Sequence, residues 1–140
     1  MVLFDILQKA QKGYGRALEP TCRQWALTRN EMDVLLFLYN NPGLNRAADI
    51  VAHRGIAKSH VSLSVTALED RGFLVRQLDP QDRRTDRLRL TEAALPAARQ
   101  GRAAQLAYFE RLFRGMNREE MERFQQLVQK ICINIENLEE

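Results

Sequence analysis

The chain has 140 residues, of which 45% are apolar and 28% are charged, and its formal net charge is +3. These proportions are typical of one globular domain that is long enough to bury a core. No apolar run reaches the roughly 18 residues that a membrane span requires, and the N-terminus lacks a signal-peptide pattern. We therefore expect a cytoplasmic protein without a membrane partner.

The first predicted helix covers residues 2–18. Its apolar side chains recur at alternating spacings of four and three residues, which places them on one face. They are Leu3, Leu7, Ala10, Tyr14 and Ala17. Gly13 and Gly15 predict a bend or a close helix contact, and Pro20 is expected to end the helix.

The second predicted helix begins after Thr28, because Thr28 and Glu31 have the spacing of a capping box. Its apolar residues should pack on the inner side until an Asn-Pro-Gly sequence at 41–43 ends it. They are Met32, Leu35, Leu36 and Tyr39.

Two further helices follow, separated by a turn at Gly55. The shorter one covers 46–53 with Asn45 as its cap, and the longer one covers 57–72 with a glycine stop. In the longer helix Val61, Val65 and Leu68 form an apolar face. Its opposite face carries Lys58, Ser59, His60, Ser62, Leu63 and Thr66. Short hydroxyl side chains and a lysine on an exposed helix face suit a DNA major groove.

A β-hairpin with a charged tip is predicted next. The runs 73–78 and 88–91 alternate in hydrophobicity, and an Asp-Pro turn signal stands between them. Nine residues at 79–87 include three arginines and three aspartates, which should project into solvent because burying charge is costly. The three aspartates are expected to pair with arginines. Helix, turn, helix and hairpin in this order predict a winged helix-turn-helix.

The C-terminal part is predicted to form two helices. Thr91 should cap a fifth helix that reaches about residue 114, where Gly115 stops it and Pro96 kinks it. Asn117 and Glu120 then form a second capping box before the last helix. Its apolar residues also alternate at spacings of three and four: Met121, Phe124, Val128, Ile131, Ile135 and Leu138. This face is too long for the small winged module to cover, so we expect a homodimer, with an intramolecular bundle as the alternative.

The hairpin and helix sequences resemble those of the multiple-antibiotic-resistance regulator (MarR) family of bacterial transcription factors. D-P-Q-D-R-R-T-D-R-L-R-L-T-E is similar to the family's wing signature, whose acidic-x-Arg-x-x-Arg core falls on Asp82, Arg84 and Arg87. The segments L-T-R-N-E-M-D-V-L and K-S-H-V-S-L-S-V-T-A-L-E-D-R-G-F-L extend the resemblance over residues 27–92.

The resemblance implies a mainly helical single domain, 1–140, with a small β-hairpin. Residues 27–91 would form the DNA-binding lobe, and residues 1–20 and 92–140 would form the dimerisation region. The function implied is a homodimeric, sequence-specific transcriptional repressor that binds a pseudo-palindromic duplex.

The residues expected to bind DNA lie in the longer central helix and the hairpin. They are Lys58, Ser59, His60, Ser62, Leu63, Thr66, Asp82, Arg83, Arg84 and Arg87. Arg84 is expected to enter the minor groove, and Leu63 is expected to contact a thymine methyl group. The expected dimer interface consists of Leu3, Leu7, Tyr14, Phe124, Val128, Ile131, Ile135 and Leu138.

The resemblance also implies an effector site between the dimerisation helices and the DNA-binding lobe. Tyr14, Cys22 and Trp25 offer two aromatic rings, polar groups and a thiol there, which suits a small aromatic ligand. Two alternatives are open: these residues pack the junction between the lobes, or Cys22 senses an oxidant.

No catalytic motif is present, so we expect a protein that is not an enzyme and needs no cofactor or metal. His53 and His60 fall on different helices without the cysteine or carboxylate spacing of a metal site. Cys22 and Cys132 are too few for a disulfide framework. The alternative function is a winged-helix module that docks proteins through its hairpin, although that tip carries no aromatic side chain.

Overall fold

The computed structural model describes residues 2–82 and 84–138. The helices are α1 (Val2–Gln24), α2 (Arg29–Asn40), α3 (Ala47–Arg54), α4 (Lys58–Asp70), α5 (Leu95–Leu112) and α6 (Arg118–Leu138). Strands β1 (Leu74–Leu78) and β2 (Asp86–Leu90) lie between α4 and α5, and a 3-10 turn (Glu92–Ala94) precedes α5. The predicted class, mainly helical with one small hairpin, is therefore confirmed. The chain forms two compact units, Met1–Tyr108 and Phe109–Glu140.

Helix α2 is the centre of the first unit and packs against α1, α4 and β2. Because it has neighbours on several sides, it buries more than the single face that its sequence predicts. Its buried side chains are Met32, Val34, Leu35, Leu36, Phe37 and Leu38. The apolar face predicted for α4 is confirmed, since Val61, Val65 and Leu68 are all buried in the same core.

Helix α1 continues to Gln24, so the prediction that it ends before Pro20 is wrong. Leu18 and Thr21 on either side of the proline are both buried. Their packing offsets the backbone hydrogen bond that a proline inside a helix removes. Gly13 allows the close contact that was predicted, because an added Cβ would lie 2.9 Å from the Tyr108 hydroxyl oxygen.

The capping predictions are confirmed for α2 and corrected for α3. The Thr28 hydroxyl accepts a bond from the Glu31 amide at 3.1 Å, and the Glu31 carboxylate accepts one from the Thr28 amide. Helix α3 follows Arg46, whose amide donates to the Asp49 carboxylate at 3.0 Å. Asn45 does not cap α3; its carbonyl instead accepts a bond from the Leu88 amide in β2 at 2.7 Å.

The two strands form an antiparallel hairpin, the wing, in a register that pairs Leu74 with Leu90 and Leu78 with Asp86. Strand β2 begins two residues earlier than the apolar pattern predicts. The chain enters the hairpin through Gly72, whose φ of +77° lies in the left-handed region that favours glycine.

The helix after the wing begins later than predicted. Because a separate 3-10 turn precedes Leu95, Pro96 lies in the first turn of α5, where a missing N–H removes no helical bond. Thr91 does not cap α5, since its hydroxyl donates to the Gly72 carbonyl at 2.5 Å. The cap of α6 is as predicted, with the Glu120 amide donating to Asn117 Oδ1 at 2.8 Å. None of the helices in the described ranges is long and apolar enough to cross a membrane.

Gly101 of α5 lies against side chains of α2. An added Cβ would lie 2.9 Å from Met32 Sδ and 3.0 Å from Leu36 Cδ2, both in the core. At Gly15 the nearest atom is Arg29 Nη1, the far end of a flexible side chain. Alanine improves helix propensity by about 1 kcal/mol at either site, so a comparison isolates the overpacking. We expect Gly101→Ala to unfold with a free energy about 1–3 kcal/mol lower than Gly15→Ala in urea denaturation. Equal free energies would contradict the close packing.

Candidate nucleic-acid interface

One face of α4 is exposed along its whole length. Every side chain predicted to lie in a major groove is exposed, whereas Val61, Ser64, Val65 and Leu68 on the other side are buried. Leu63, the apolar residue on this face, is 69% exposed. The face of α4 that the sequence predicts to be polar is therefore exposed, and the predicted apolar face is buried.

Arg84 extends from the wing tip with its side chain 91% exposed. Asp82 lies at its base: Asp82 Oδ1 accepts bonds from the Arg84 amide at 3.1 Å and from Arg84 Nε at 3.4 Å. This is the aspartate–arginine pairing that the sequence predicts. Arg83, which is also predicted to bind DNA, lies outside the described residues.

Asp79 is an exception to the prediction that the charged tip projects, because its side chain is completely buried. Its carboxylate accepts bonds from Arg46 Nη2 and from the Gln81 amide, the latter at 2.9 Å, and Arg87 Nε lies 3.5 Å away. The hydrogen bond from Arg46 is the main reason that the pKa of Asp79 is lowered to about 2. Two arginines thus compensate the burial of one carboxylate.

Arg87 therefore has a different partner from the one expected. Within the wing signature it was grouped with Asp82, whereas the structure pairs it with Asp79 and leaves its side chain 42% exposed. Sequence reasoning missed Arg46, the other partner, because 33 positions separate it from Asp79 and no local pattern connects them.

Arg76 connects the wing to α4 and was also missed. From β1, its Nη2 donates to Thr66 Oγ1 at 3.1 Å and its Nε donates to Glu69 Oε1 at 3.3 Å. Arg76 Nη1 lies 3.9 Å from Asp86 Oδ2 in β2. The alternation of the hairpin places Arg76 on the same face as Leu74, which is the only hint of this contact in the sequence.

A cavity of about 520 Å³ lies among α3, α4 and the wing. Three residues predicted to bind DNA, Lys58, Ser62 and Arg84, line it together with Arg46 and Arg76. The structure thus brings the cationic end of α4 and the wing arginine to one concave surface. Two of its lining residues, Lys58 and Arg84, are exposed cations, which suit a phosphate backbone.

Of the three candidate effector residues, Cys22 lines a cavity that neither Tyr14 nor Trp25 lines. The volume of this cavity is about 390 Å³. The Tyr14 hydroxyl accepts a bond from Gln105 Nε2 at 2.5 Å, and Trp25 Nε1 donates to Gln100 Oε1 at 3.0 Å. Burial raises the pKa of the Cys22 thiol, which disfavours the thiolate that oxidants attack.

The apolar residues predicted to form a dimer interface are exposed within each unit, except Tyr14. Leu3 and Leu7 of α1 are 50% and 51% exposed, and α6 buries none of its described residues. Tyr14 is half-buried, and its ring lies 5.8 Å from that of Tyr108. Within the described ranges, no group of three or more histidines, cysteines, aspartates and glutamates could hold a metal ion.

A helix-turn-helix followed by a two-stranded wing defines the winged helix-turn-helix class. Residues 27–85 match the family model described as the MarR family. Over these residues the chain is similar to the MarR family, and solved structures with a similar fold are described as transcriptional regulators.

Three solved structures show how closely the fold agrees. A MarR-family transcriptional regulator from Silicibacter pomeroyi has a TM-score of 0.81 at 20% identity and covers 93% of this chain and 87% of its own. CouR from Rhodococcus jostii RHA1, bound to p-coumaroyl-CoA, scores 0.73 at 25% identity over 93% and 88%. MepR from S. aureus, in a complex with DNA, scores 0.73 at 19% identity over 95% and 94%.

The lowered pKa of Asp79 predicts how stability changes in acid. The Asp79 pKa of about 2 lies below the ordinary aspartate pKa of about 3.9. The stabilisation from its ion pairs is therefore fully present above about pH 4. That contribution is lost as the pH falls from about 4 to about 2. Asp79→Asn should therefore be less stable than wild type at neutral pH, and the difference in thermal midpoint should shrink across this window. Asp70→Asn, at an exposed acid, controls for the loss of one charge. A difference that stays constant down to pH 2 would contradict the ion-paired carboxylate.

Proposed function

We propose that the chain is a homodimeric, sequence-specific DNA-binding repressor whose DNA affinity is set by a small aromatic ligand. The observation that carries DNA binding is the exposed Arg84 on the same concave surface as Lys58 and Ser62 of α4. A dimer that occupies a site overlapping a promoter excludes polymerase, which is the physical basis of repression.

Helix α4 is the element that fits a major groove. Ser59, Ser62 and Thr66 are exposed hydroxyl side chains that can bond base edges or phosphates. Lys58 at the beginning of the helix supplies charge for a phosphate. Leu63 has no hydrogen-bonding group, so an apolar contact with a thymine methyl is the contact that its chemistry allows.

The wing fits the adjacent minor groove. Arg84 is held at its base by Asp82, and its guanidinium is free to enter a narrow groove with a strongly negative potential. Arg87, still partly exposed beside Asp79, is available to a phosphate. The similar MepR structure was solved as a complex with DNA, which supports the proposal by analogy of fold.

Arg84→Ala should weaken binding to a duplex selected by the wild-type protein by about 1–3 kcal/mol, because one groove contact is lost. Fluorescence anisotropy with a labelled duplex measures the change. Arg16→Ala, which removes an exposed charge from α1, is the matched control. An unchanged affinity for the Arg84 variant, with its thermal midpoint intact, would exclude this arginine from the interface.

The dimer proposal rests on the apolar face of α6. Ile131 and Ile135 are 54% and 51% exposed, and Phe124 and Val128 continue the same face. Exposed apolar residues at alternating spacings of three and four along a 21-residue helix are typical of a helical interface. The exposed Leu3 and Leu7 of α1 provide a second apolar segment for it.

Ile131→Glu should convert the dimer to a monomer, since it places a charge in the centre of that face. Sedimentation equilibrium at micromolar concentration gives the mass directly. Gln129→Glu introduces the same charge two positions away, outside the apolar repeat, and should remain dimeric. A monomeric wild-type protein, or a dimeric Ile131 variant, would contradict the proposed interface.

Trp25 is placed to report an effector, because it is the only tryptophan and contacts both the entrance to the wing and α5. Its ring lies 6.3 Å from that of Phe73 at the entrance to the wing, and its indole N–H bonds Gln100 in α5. A ligand that shifts α1 or α5 against the wing would change this environment. The p-coumaroyl-CoA in the similar CouR structure makes phenolic acids and their thioesters the first compounds to test.

Titration with p-coumaric acid and p-coumaroyl-CoA should change Trp25 fluorescence and lower the affinity for DNA. Because coupling is reciprocal, DNA should lower the affinity for the ligand by the same factor. A parallel peroxide treatment of wild type and Cys22→Ser tests the oxidant alternative. Because burial disfavours the Cys22 thiolate, we expect peroxide to leave DNA affinity unchanged in both. If neither the ligands nor peroxide has an effect, Tyr14, Cys22 and Trp25 have only a packing role.

A further inference from the structure

The contact between Arg76 and Thr66 restricts the direction in which the Thr66 hydroxyl can donate a hydrogen bond to a partner. A threonine hydroxyl can donate one hydrogen bond and accept two. Arg76 Nη2 donates to Thr66 Oγ1 at 3.1 Å, so the hydroxyl proton must point away from the guanidinium. Within residues 2–82 and 84–138, the Thr66 hydroxyl makes no other hydrogen bond, and the side chain is exposed. Its proton is therefore available to an outside acceptor.

Arg76 is itself held in place by acids. Glu69 Oε1 accepts from Arg76 Nε at 3.3 Å, and Asp86 Oδ2 lies 3.9 Å from Nη1. These two carboxylates are 38% and 37% exposed and offset the charge of the guanidinium. An arginine between two carboxylates attracts phosphate weakly, whereas its planar donor set keeps a fixed direction towards Thr66. The geometry thus favours positioning over direct phosphate binding.

We propose that Arg76 is a positioning residue that makes Thr66 a hydrogen-bond donor to one base, and so gives the protein a preference for an acceptor at that base. Major-groove acceptors are N7 of either purine, O6 of guanine and O4 of thymine, whereas the exocyclic amino groups of adenine and cytosine are donors. With its proton directed away from Arg76, Thr66 is oriented to donate to one of these acceptors. The donation from Arg76 also polarises the hydroxyl, which strengthens the bond it makes.

This inference rests on the proposed DNA-binding function and adds a residue outside the expected recognition helix and wing tip. It also gives the wing a second role: β1 sets what the recognition helix reads, while the tip contacts the minor groove. The residues that test it are the pair itself, and Arg89 in β2, an exposed arginine that makes no ion pair with another residue of the described ranges.

The experiment begins with a duplex selected by the wild-type protein from a randomised pool. Affinities are then measured for that duplex, for every single-base change in it, and for an unrelated duplex at several salt concentrations. The variants are Thr66→Val, Thr66→Ser, Arg76→Ala, Arg76→Lys and the double variant Thr66→Val/Arg76→Ala. Arg89→Ala controls for the loss of one wing charge, and thermal midpoints monitor folding.

Thr66→Val should lose roughly 5- to 100-fold of discrimination at one base position, since a side-chain contact to that base is removed. Arg76→Ala should lose discrimination at the same position, and the double variant should lose no more than either single variant. Thr66→Ser keeps the hydroxyl and should keep the preference, whereas Arg76→Lys, without the second guanidinium nitrogen, should not. Arg89→Ala should weaken all duplexes alike.

The inference would be overturned if the double variant lost discrimination by the product of the two single-variant factors, because the two residues would then act independently. A uniform loss for Arg76→Ala with a salt slope shallower by about one would overturn it as well, since Arg76 would then be a phosphate contact. If Arg76→Ala does not fold, Thr66→Val and Thr66→Ser decide: equal discrimination by both overturns the role of the hydroxyl. A wild-type protein that selects no sequence contradicts the proposed function itself, a result distinct from these.

Discussion

A fully buried carboxylate, Asp79, holds the base of the wing against the helix-turn-helix. It binds Arg46 at the beginning of α3 and lies 3.5 Å from Arg87 in β2, so that one buried charge joins elements that are distant in sequence. A bond from the Leu88 amide to the Asn45 carbonyl reinforces the same junction. Removing either arginine weakens the compensation of the buried Asp79 carboxylate, so the angle of the wing depends on the whole group. The direction in which Arg84 extends depends on that angle.

The arginines of the wing are divided between structural and exposed positions. Arg87 is paired with Asp79, and Arg76 lies between Glu69 and Asp86, so both are partly neutralised. Among the described residues, Arg84 is ion-paired with the half-exposed Asp82 alone, and its side chain is 91% exposed. Arg84 at the tip and Lys58 at the beginning of α4 therefore remain available to a negatively charged partner. An exposed, oriented arginine beside a helix with an exposed polar face can contact the minor groove while the helix contacts the major groove of the same duplex.

The sequence predicted those features that depend on neighbours along the chain. The cap of α2 at Thr28, the cap of α6 at Asn117 and the apolar face of α4 are all local patterns, and the structure confirms each. The extension of α1 through Pro20 was not predictable, because it depends on the burial of Leu18 and Thr21 against other helices. The pairing of Asp79 with Arg46 was missed for the same reason, since charged residues 33 positions apart carry no periodic signal. Arg76 was missed because alternation in a hairpin shows a face but not the partner opposite it.

The dependence of DNA binding on salt tests the central claim most directly. The experiment compares a duplex selected by the protein with a scrambled duplex of the same length and composition. Fluorescence anisotropy measures both affinities between about 50 and 300 mM salt. Phosphate neutralisation by Lys58, Arg84 and their counterparts in a second protomer predicts that the logarithm of the affinity falls linearly with the logarithm of salt, with a slope of about −3 or steeper. It also predicts tighter binding to the selected duplex at every salt concentration. A slope near zero, with equal affinity for both duplexes, would contradict a DNA-binding role and favour a winged helix that docks proteins.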